Sequence, residues 1–312
     1  MNNTPDGNRL ESKLGELKKL IEETGLDAAD EISRLELKLR SQSRAETVWK
    51  QVELARHPDR PYATDYITRI FDNFIELHGD RTFGDDPSIV GGICFLEGRP
   101  VTVLANQKGR TLKENVRRNH GMANPEGYRK ALRLAREAEK FHRPIVTLVD
   151  TAGAYPGLGA EERGIGEAIA RNLMCFSRLL TPVICIIIGE GGSGGALGLC
   201  VGDKIYMLEN AIYSVISPEG CASILLRDAS RAKDAAVMLR ITSGDLLDFK
   251  VINGIIPEPE EGAQADPGAV ARAIKDTLIR DLNDLCARRP EVLVRYRSQK
   301  IRTIGHWNET AG

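Results

Sequence analysis

One pattern in this chain constrains its fold more than any other, and it occurs twice. A continuous apolar run is followed at once by clustered glycines and small residues. The first copy is Pro144-Ile-Val-Thr-Leu-Val-Asp150 leading into Thr151-Ala-Gly-Ala-Tyr-Pro-Gly157. The second is Pro182-Val-Ile-Cys-Ile-Ile-Ile188 leading into Gly189-Glu-Gly-Gly-Ser-Gly-Gly-Ala196. An unbroken Val/Ile/Leu run suits a strand covered on both faces, as in a parallel sheet. Clustered glycines let the backbone turn sharply and let a ligand approach bare N–H groups. A helix that starts there adds donors without intrahelical acceptors and the positive end of its dipole. Each unit therefore predicts a pocket for negative charge, and two built alike point to the stabilisation of oxyanions.

The second unit, from its strand to the next at Lys204-Ile-Tyr-Met-Leu208, takes only about 25 residues, short for an open doubly wound sheet, where a βαβ unit needs about 30 or more. A tightly coiled α/β spiral of strand-rich turns fits better. Around this middle the spacing predicts two N-terminal helices. One carries Leu10, Leu14, Leu17, Leu20 and Ile21, and the other Ile32, Leu35, Leu39, Val48 and Val52. Arg56-His-Pro-Asp-Arg-Pro61 breaks this arm. A helix over 64–77 with Ile67, Ile70, Phe71 and Phe74 on one face follows, then strands over 89–96 and 101–107 joined by a hairpin turn at Glu97-Gly98-Arg99. Pro125-Glu126 opens a helix to Phe141. Further short strands are expected over 211–216 and 251–256, and a helix over 232–244. A last amphipathic helix over 267–289 precedes a polar tail. The expected division is a helical arm over 1–60, a spiral domain over 61–260 and a C-terminal helix with tail over 261–312.

The charges nearly cancel, with 43 Lys+Arg against 44 Asp+Glu. That balance gives no global signal for nucleic acid or an anionic membrane. The N-terminus is polar and lacks a secretory leader pattern, and no apolar stretch is long enough to cross a bilayer. Cytoplasmic is the expected compartment. The six cysteines, Cys94, Cys175, Cys185, Cys200, Cys221 and Cys286, form no Cys-x-x-Cys pair and read as small buried thiols. The five histidines are scattered singly, without zinc-ligand spacing.

The second glycine run satisfies several patterns. Gly189-x-Gly191-x-x-Gly194 after a strand matches the dinucleotide fingerprint, with Glu209 about 20 residues on. That pattern alone is weak, and here an equivalent unit precedes it. Gly191-Gly-Ser193-Gly-Gly195 matches the nucleophile elbow, but a serine nucleophile needs a histidine base, and only His306 lies downstream, in the polar tail. No lysine follows in the P-loop position. Glycines that serve only close helix–strand packing are the plain alternative. In the first motif, Asp150 reads as fixing the turn, and Glu161 and Glu162 as serving a helix dipole. The basic run Lys108, Arg110, Lys113, Arg117 and Arg118 reads as a contact for a carrier or for the nucleotide end of a cofactor, or as a solvated face.

Seven segments in order carry a resemblance. They are Asn106-Gln-Lys-Gly-Arg110, Arg117-Arg-Asn-His-Gly-Met122, Pro125-Glu-Gly-Tyr-Arg-Lys-Ala131, Gly153-Ala-Tyr-Pro-Gly157, Gly159-Ala-Glu-Glu-Arg-Gly164, Gly189 to Ala196, and Ser217-Pro-Glu-Gly-Cys-Ala-Ser223. Together they resemble the alpha subunit of the carboxyltransferase of bacterial and plastid-type acetyl-CoA carboxylase, over nearly the whole chain. The resemblance implies a crotonase-like (ClpP/crotonase) spiral and an alpha2beta2 assembly with a zinc-ribbon-bearing beta subunit. It implies carboxyl transfer from carboxybiotin, supplied by a biotin carboxyl carrier protein, to acetyl-CoA. The product is malonyl-CoA for fatty-acid synthesis. ATP is then used only by the biotin carboxylase component, and this chain needs no metal and no membrane. On that basis the backbone of Gly194, Gly195 and Ala196 is the expected oxyanion hole for carboxybiotin. Gly153, Ala154, Tyr155, Gly157, Gly191, Gly192 and Ser193 are expected to shape the substrate site. Two positions depart from the family pattern: Asn106 stands where His is common, and Ala152 where Pro is common. A decarboxylase or hydratase of the same spiral, and a scaffold whose glycines only pack, remain the competing classes.

Overall fold

The computed structural model describes residues 29–305. The expected helix over Leu10–Ile21 lies outside them. Helix α1 (Ala29–Ala55) leads to α2 (Ala63–Ile70), then to strands β1 (Asp72–Glu76), β2 (Ile89–Leu96) and β3 (Arg99–Asn106). Helix α3 (Pro125–Lys140) precedes β4 (Ile145–Thr151), and α4 (Ile165–Phe176) precedes β5 (Val183–Gly192). Strands β6 (Lys204–Leu208) and β7 (Ile212–Ser214), helix α5 (Ala232–Leu239) and strand β8 (Gly254–Ile256) follow. Helices α6 (Pro267–Cys286) and α7 (Pro290–Arg302) are the last described elements.

The eight strands form one sheet in the order β1-β2-β3-β4-β5-β6-β8, with β7 paired to β5 off that path. The β1–β2 and β2–β3 pairs are antiparallel, and the pairs from β3 onward are parallel. Every residue of β4 is buried. Because successive side chains point to opposite faces, both faces of the sheet are covered there, as the apolar run predicts. The β2–β3 hairpin turns on Glu97 and Gly98, with φ 48° and 75°. Two left-handed residues in succession suit a tight hairpin whose twist matches its strands.

Three expectations are corrected. The helix expected over 64–77 stops at Ile70, and the chain continues as β1 along the edge of β2. The i, i+3, i+4, i+7 spacing of Ile67, Ile70, Phe71 and Phe74 is genuine, but Asn73 takes φ 52° and sheet pairing overrides the period. The helix expected over 232–244 divides at Arg240, with φ 51°, and a short helix resumes at Ser243–Asp248. The polar tail contains a further helix, α7, whose Leu293 and Arg297 are buried. Arg297 donates to the carbonyls of Phe176, Leu179 and Thr181 at 2.6, 3.0 and 3.2 Å and pairs with Asp203 at 2.7 Å. A charged side chain so fully satisfied replaces an apolar stripe as the anchor of this helix.

All six cysteines are free; Cys94, Cys185, Cys200 and Cys221 are buried, Cys175 is half-buried and Cys286 is exposed. Among the described residues, no helix is long and apolar enough to cross a membrane.

Candidate functional site

Both glycine motifs lie at the carboxyl ends of neighbouring parallel strands, β4 and β5, the usual site of chemistry in such sheets. The second motif differs from expectation in one respect. Strand β5 does not stop at Ile188 but runs through Gly189–Gly192, where it pairs with β7. The turn is then made by Ser193, exposed and with φ 51°, and the helical turn Ser193–Leu197 begins with no intervening loop. This is the backbone of a nucleophile elbow, but the histidine hydrogen bonds lie elsewhere. His57 accepts from the Asp59 N–H, and His78 pairs with Asp85. In a helix beginning at Ser193, the N–H groups of Ser193, Gly194 and Gly195 lack intrahelical acceptors, while that of Ala196 meets the Gly192 carbonyl.

The two motifs touch, backbone against backbone. A Cβ at Gly195 would lie 2.3 Å from the Gly153 carbonyl carbon and 2.4 Å from the Ala154 nitrogen. A Cβ at Gly192 would lie 2.0 Å from the Ala152 carbonyl oxygen. Gly157 is covered by the Tyr155 ring, 2.4 Å from the same construction. At Gly192 and Gly195, where the opposing atoms are main chain, only glycine permits the approach. Thr151 Oγ1 donates to the Gly153 carbonyl at 2.7 Å and accepts from the Gly153 N–H at 3.1 Å, which fixes the first turn locally. Tyr155 N–H donates to the Ala123 carbonyl at 3.0 Å. Gly195 and Ala196 are buried, and Gly194 is half-buried.

A small open cleft lies beside this junction. Ala152, Gly191 and Gly192 line it together with Ser214, Ser217 and Pro218. Gly153, Ala154, Tyr155, Gly157 and Ser193–Ala196 are not among its walls.

Sequence reasoning missed the ion network that runs through Arg56 and Glu190 in the lining of the cleft. Arg56 Nε meets Glu190 at 2.7 Å, and its NH1 group meets Glu219 at 2.7 Å. Lys108 Nζ meets Asp150 at 2.7 Å and Glu190 at 3.5 Å, and Asp150 also accepts from the Glu190 N–H at 2.9 Å. Burial alone would lower the Lys108 ammonium pKa, but Asp150 and Glu190 outweigh it and the net direction is up. Lys108 thus leaves the expected basic face. Arg110 leaves it too, pairing with Asp65 and stacking on Tyr62 at 4.0 Å. These partners are far apart in sequence, so no local spacing announces them. Asn106 is fully buried, and its amide finds no partner among the described residues.

The family model for acetyl co-enzyme A carboxylase carboxyltransferase-like proteins matches residues 5–305. An acetyl-coenzyme A carboxylase carboxyl transferase subunit alpha from Treponema denticola is 67% identical over 95% of this chain and 97% of its own length. One of the same name from Listeria monocytogenes is 52% identical over 95% of this chain and 94% of its own length. Among solved structures, a transcarboxylase 12S aligns with TM-score 0.57 and 23% identity over 71% of this chain, which spans 42% of that longer chain. A Pseudomonas malonate decarboxylase hetero-tetramer aligns with TM-score 0.57 and 19% identity over 70% of this chain and 90% of its own. These structures establish the fold, a crotonase-type spiral. The sequence matches, with paired glycine turns closing on each other at adjacent strand ends, place this chain in the family of acetyl-coenzyme A carboxylase carboxyltransferase alpha subunits.

Proposed function

We propose that this chain works in the cytoplasm as the alpha half of an alpha2beta2 carboxyltransferase. With a beta subunit it moves a carboxyl group from carboxybiotin, borne on a biotin carboxyl carrier protein, to acetyl-CoA. The product is malonyl-CoA, used in fatty-acid synthesis. ATP chemistry belongs to the biotin carboxylase component, and the reading assigns no metal to this chain.

Within that reaction the chain serves the biotin side. When bound, carboxybiotin supplies the carboxyl group and leaves negative charge on its ureido oxygen. The chain's own task is to offer fixed donors to that oxygen and to exclude water. Gly194 and Gly195 N–H groups are the donors, with Ala196 just inside the helix. Gly153, Ala154, Tyr155 and Gly157 form the opposing wall, and Gly191, Gly192 and Ser193 lead in from the cleft. No side-chain base is required of this chain, since the charge is met by main-chain amides.

The observation that carries the reading is the contact of Gly195 with the Gly153–Ala154 peptide. It holds the first helical turn rigid without any side chain in the way of a ligand. Donors so held need no reorganisation as charge develops, and removal of one such donor costs on the order of 10²–10³ in rate. Two measurements test the proposal. The purified chain should form malonyl-CoA only when a beta subunit is added; turnover by the chain alone would overturn the division of labour. In a crystal of the assembled enzyme soaked with biotin, the ureido oxygen should lie within hydrogen-bond distance of Gly194 or Gly195 N. A ring bound elsewhere would overturn the site.

A further inference from the structure

Tyr128 is used by nothing described so far. It belongs to α3 and is fully buried within the main apolar cluster. That hydroxyl donates to the Gly195 carbonyl oxygen at 3.1 Å. Its ring edge also fills the space over Gly198, where a Cβ would lie 2.9 Å from Tyr128 Cε1. Gly195 is therefore held from two directions. The Gly153–Ala154 peptide blocks its Cα on one side, and a buried phenol grips its carbonyl. The residue has no side chain with which to hold itself, and glycine is the softest backbone unit available.

We infer that Tyr128 is a positioning residue for carboxyl transfer: its bond fixes the Gly195–Ala196 peptide plane, and with Gly195 held against the Gly153–Ala154 peptide this restrains the turn that presents the Gly194 and Gly195 N–H groups. The inference rests on the oxyanion reading given above. A donor aimed at developing charge acts most strongly in the transition state, where that charge is largest. Loss of the anchor therefore lowers kcat more than it raises KM. Asn172 offers a matched comparison. It is also fully buried, and its Nδ2 donates to the Gly198 carbonyl at 3.1 Å, on the same glycine segment but three residues beyond the proposed donor.

The test compares Tyr128→Phe and Asn172→Leu in the enzyme assembled with its beta subunit, with biotin as carboxyl acceptor and malonyl-CoA as donor. Each change deletes one buried hydrogen bond to a backbone carbonyl; Asn172→Leu also removes the buried Oδ1, which has no partner among the described residues, so its unfolding midpoint should fall no further than that of Tyr128→Phe. Only Tyr128→Phe should reduce kcat, by about three- to tenfold, the fold-change that one net hydrogen bond supplies, with KM for biotin changed less than twofold. An unchanged kcat in Tyr128→Phe, or an equal loss in Asn172→Leu, overturns the inference. The biotin-soaked crystal separates the two readings. A ureido oxygen on Gly194 or Gly195 with normal Tyr128→Phe turnover removes only the role of Tyr128, whereas a ring bound elsewhere removes the oxyanion site as well.

Discussion

Gly195→Ala tests the contact on which the site is built. A methyl group at that position would sit 2.3 Å from the Gly153 carbonyl carbon, whereas ordinary van der Waals contact begins near 3.4 Å. The two backbones must therefore part by about 1 Å, a displacement of the kind that costs about 10²-fold when it falls on positioned groups. Both neighbours are main chain, so no side-chain rotation relieves the clash. Overpacking of this sort also costs about 1–3 kcal/mol of stability. The substituted residue keeps its N–H, so lost activity reports movement of the donor rather than its deletion. Gly166→Ala is the control. Nothing lies within 4 Å of its added methyl, and it falls in the first turn of α4, where alanine is favoured over glycine. The assay is malonyl-CoA formation with the beta subunit, alongside thermal unfolding of each variant. Gly195→Ala should lose about two orders of magnitude in kcat/KM, and Gly166→Ala should match the parent with equal or higher stability. Gly195→Ala retaining a third or more of the parent kcat/KM would refute the argument.

Two further outcomes concern stability. Arg297→Leu leaves Asp203 and three carbonyls buried without their partner, so urea unfolding should show a loss of about 3–5 kcal/mol; a loss under about 1 kcal/mol would mean that α7 is held otherwise. Burial alone would raise the Asp80 carboxyl, but hydrogen bonds from Thr82, Phe83 and Gly84 N–H groups and from Arg129 outweigh it and bring the pKa from 3.8 to about 2. Its folded pKa lies below the unfolded one, so the carboxylate contributes about 2 kcal/mol that is complete above about pH 4 and lost as pH falls through about 2. Asp80→Asn should remove that contribution at pH 7 and flatten the acid limb of a stability–pH curve; an unchanged limb would count against it.

Much of the fold was legible because local pattern and tertiary environment agreed. Strand Ile89–Leu96, the Glu97-Gly98 turn and strand Lys204–Leu208 fall where alternation, turn chemistry and apolar runs put them. The misses mark places where a distant partner decides. Phe74 fits a helical stripe, yet its segment is claimed by the edge of β2. Gly191 and Gly192 read as a turn because glycine weakens strands, yet β7 on one side and Ala152 on the other make an extended backbone the fit. Helix α7 has too few apolar residues to announce itself, since its anchor is a guanidinium. At the site, the glycine clusters were visible as composition, but their contact was not. Nor was the Arg56–Glu190–Lys108–Asp150 chain, because pairing between residues 82 and 134 positions apart leaves no mark in local spacing.

Near the end of α1, Arg56 reaches Glu190 and Glu219, and Arg60 donates its Nε to the Ile188 carbonyl at 2.7 Å while pairing with Glu258. The stem of the N-terminal helix is thus stitched to the same strand whose tip carries the glycines. Moving that stem therefore means breaking guanidinium ties to the strand, so the seating of the N-terminal helix and the shape of the cleft rim are fixed together.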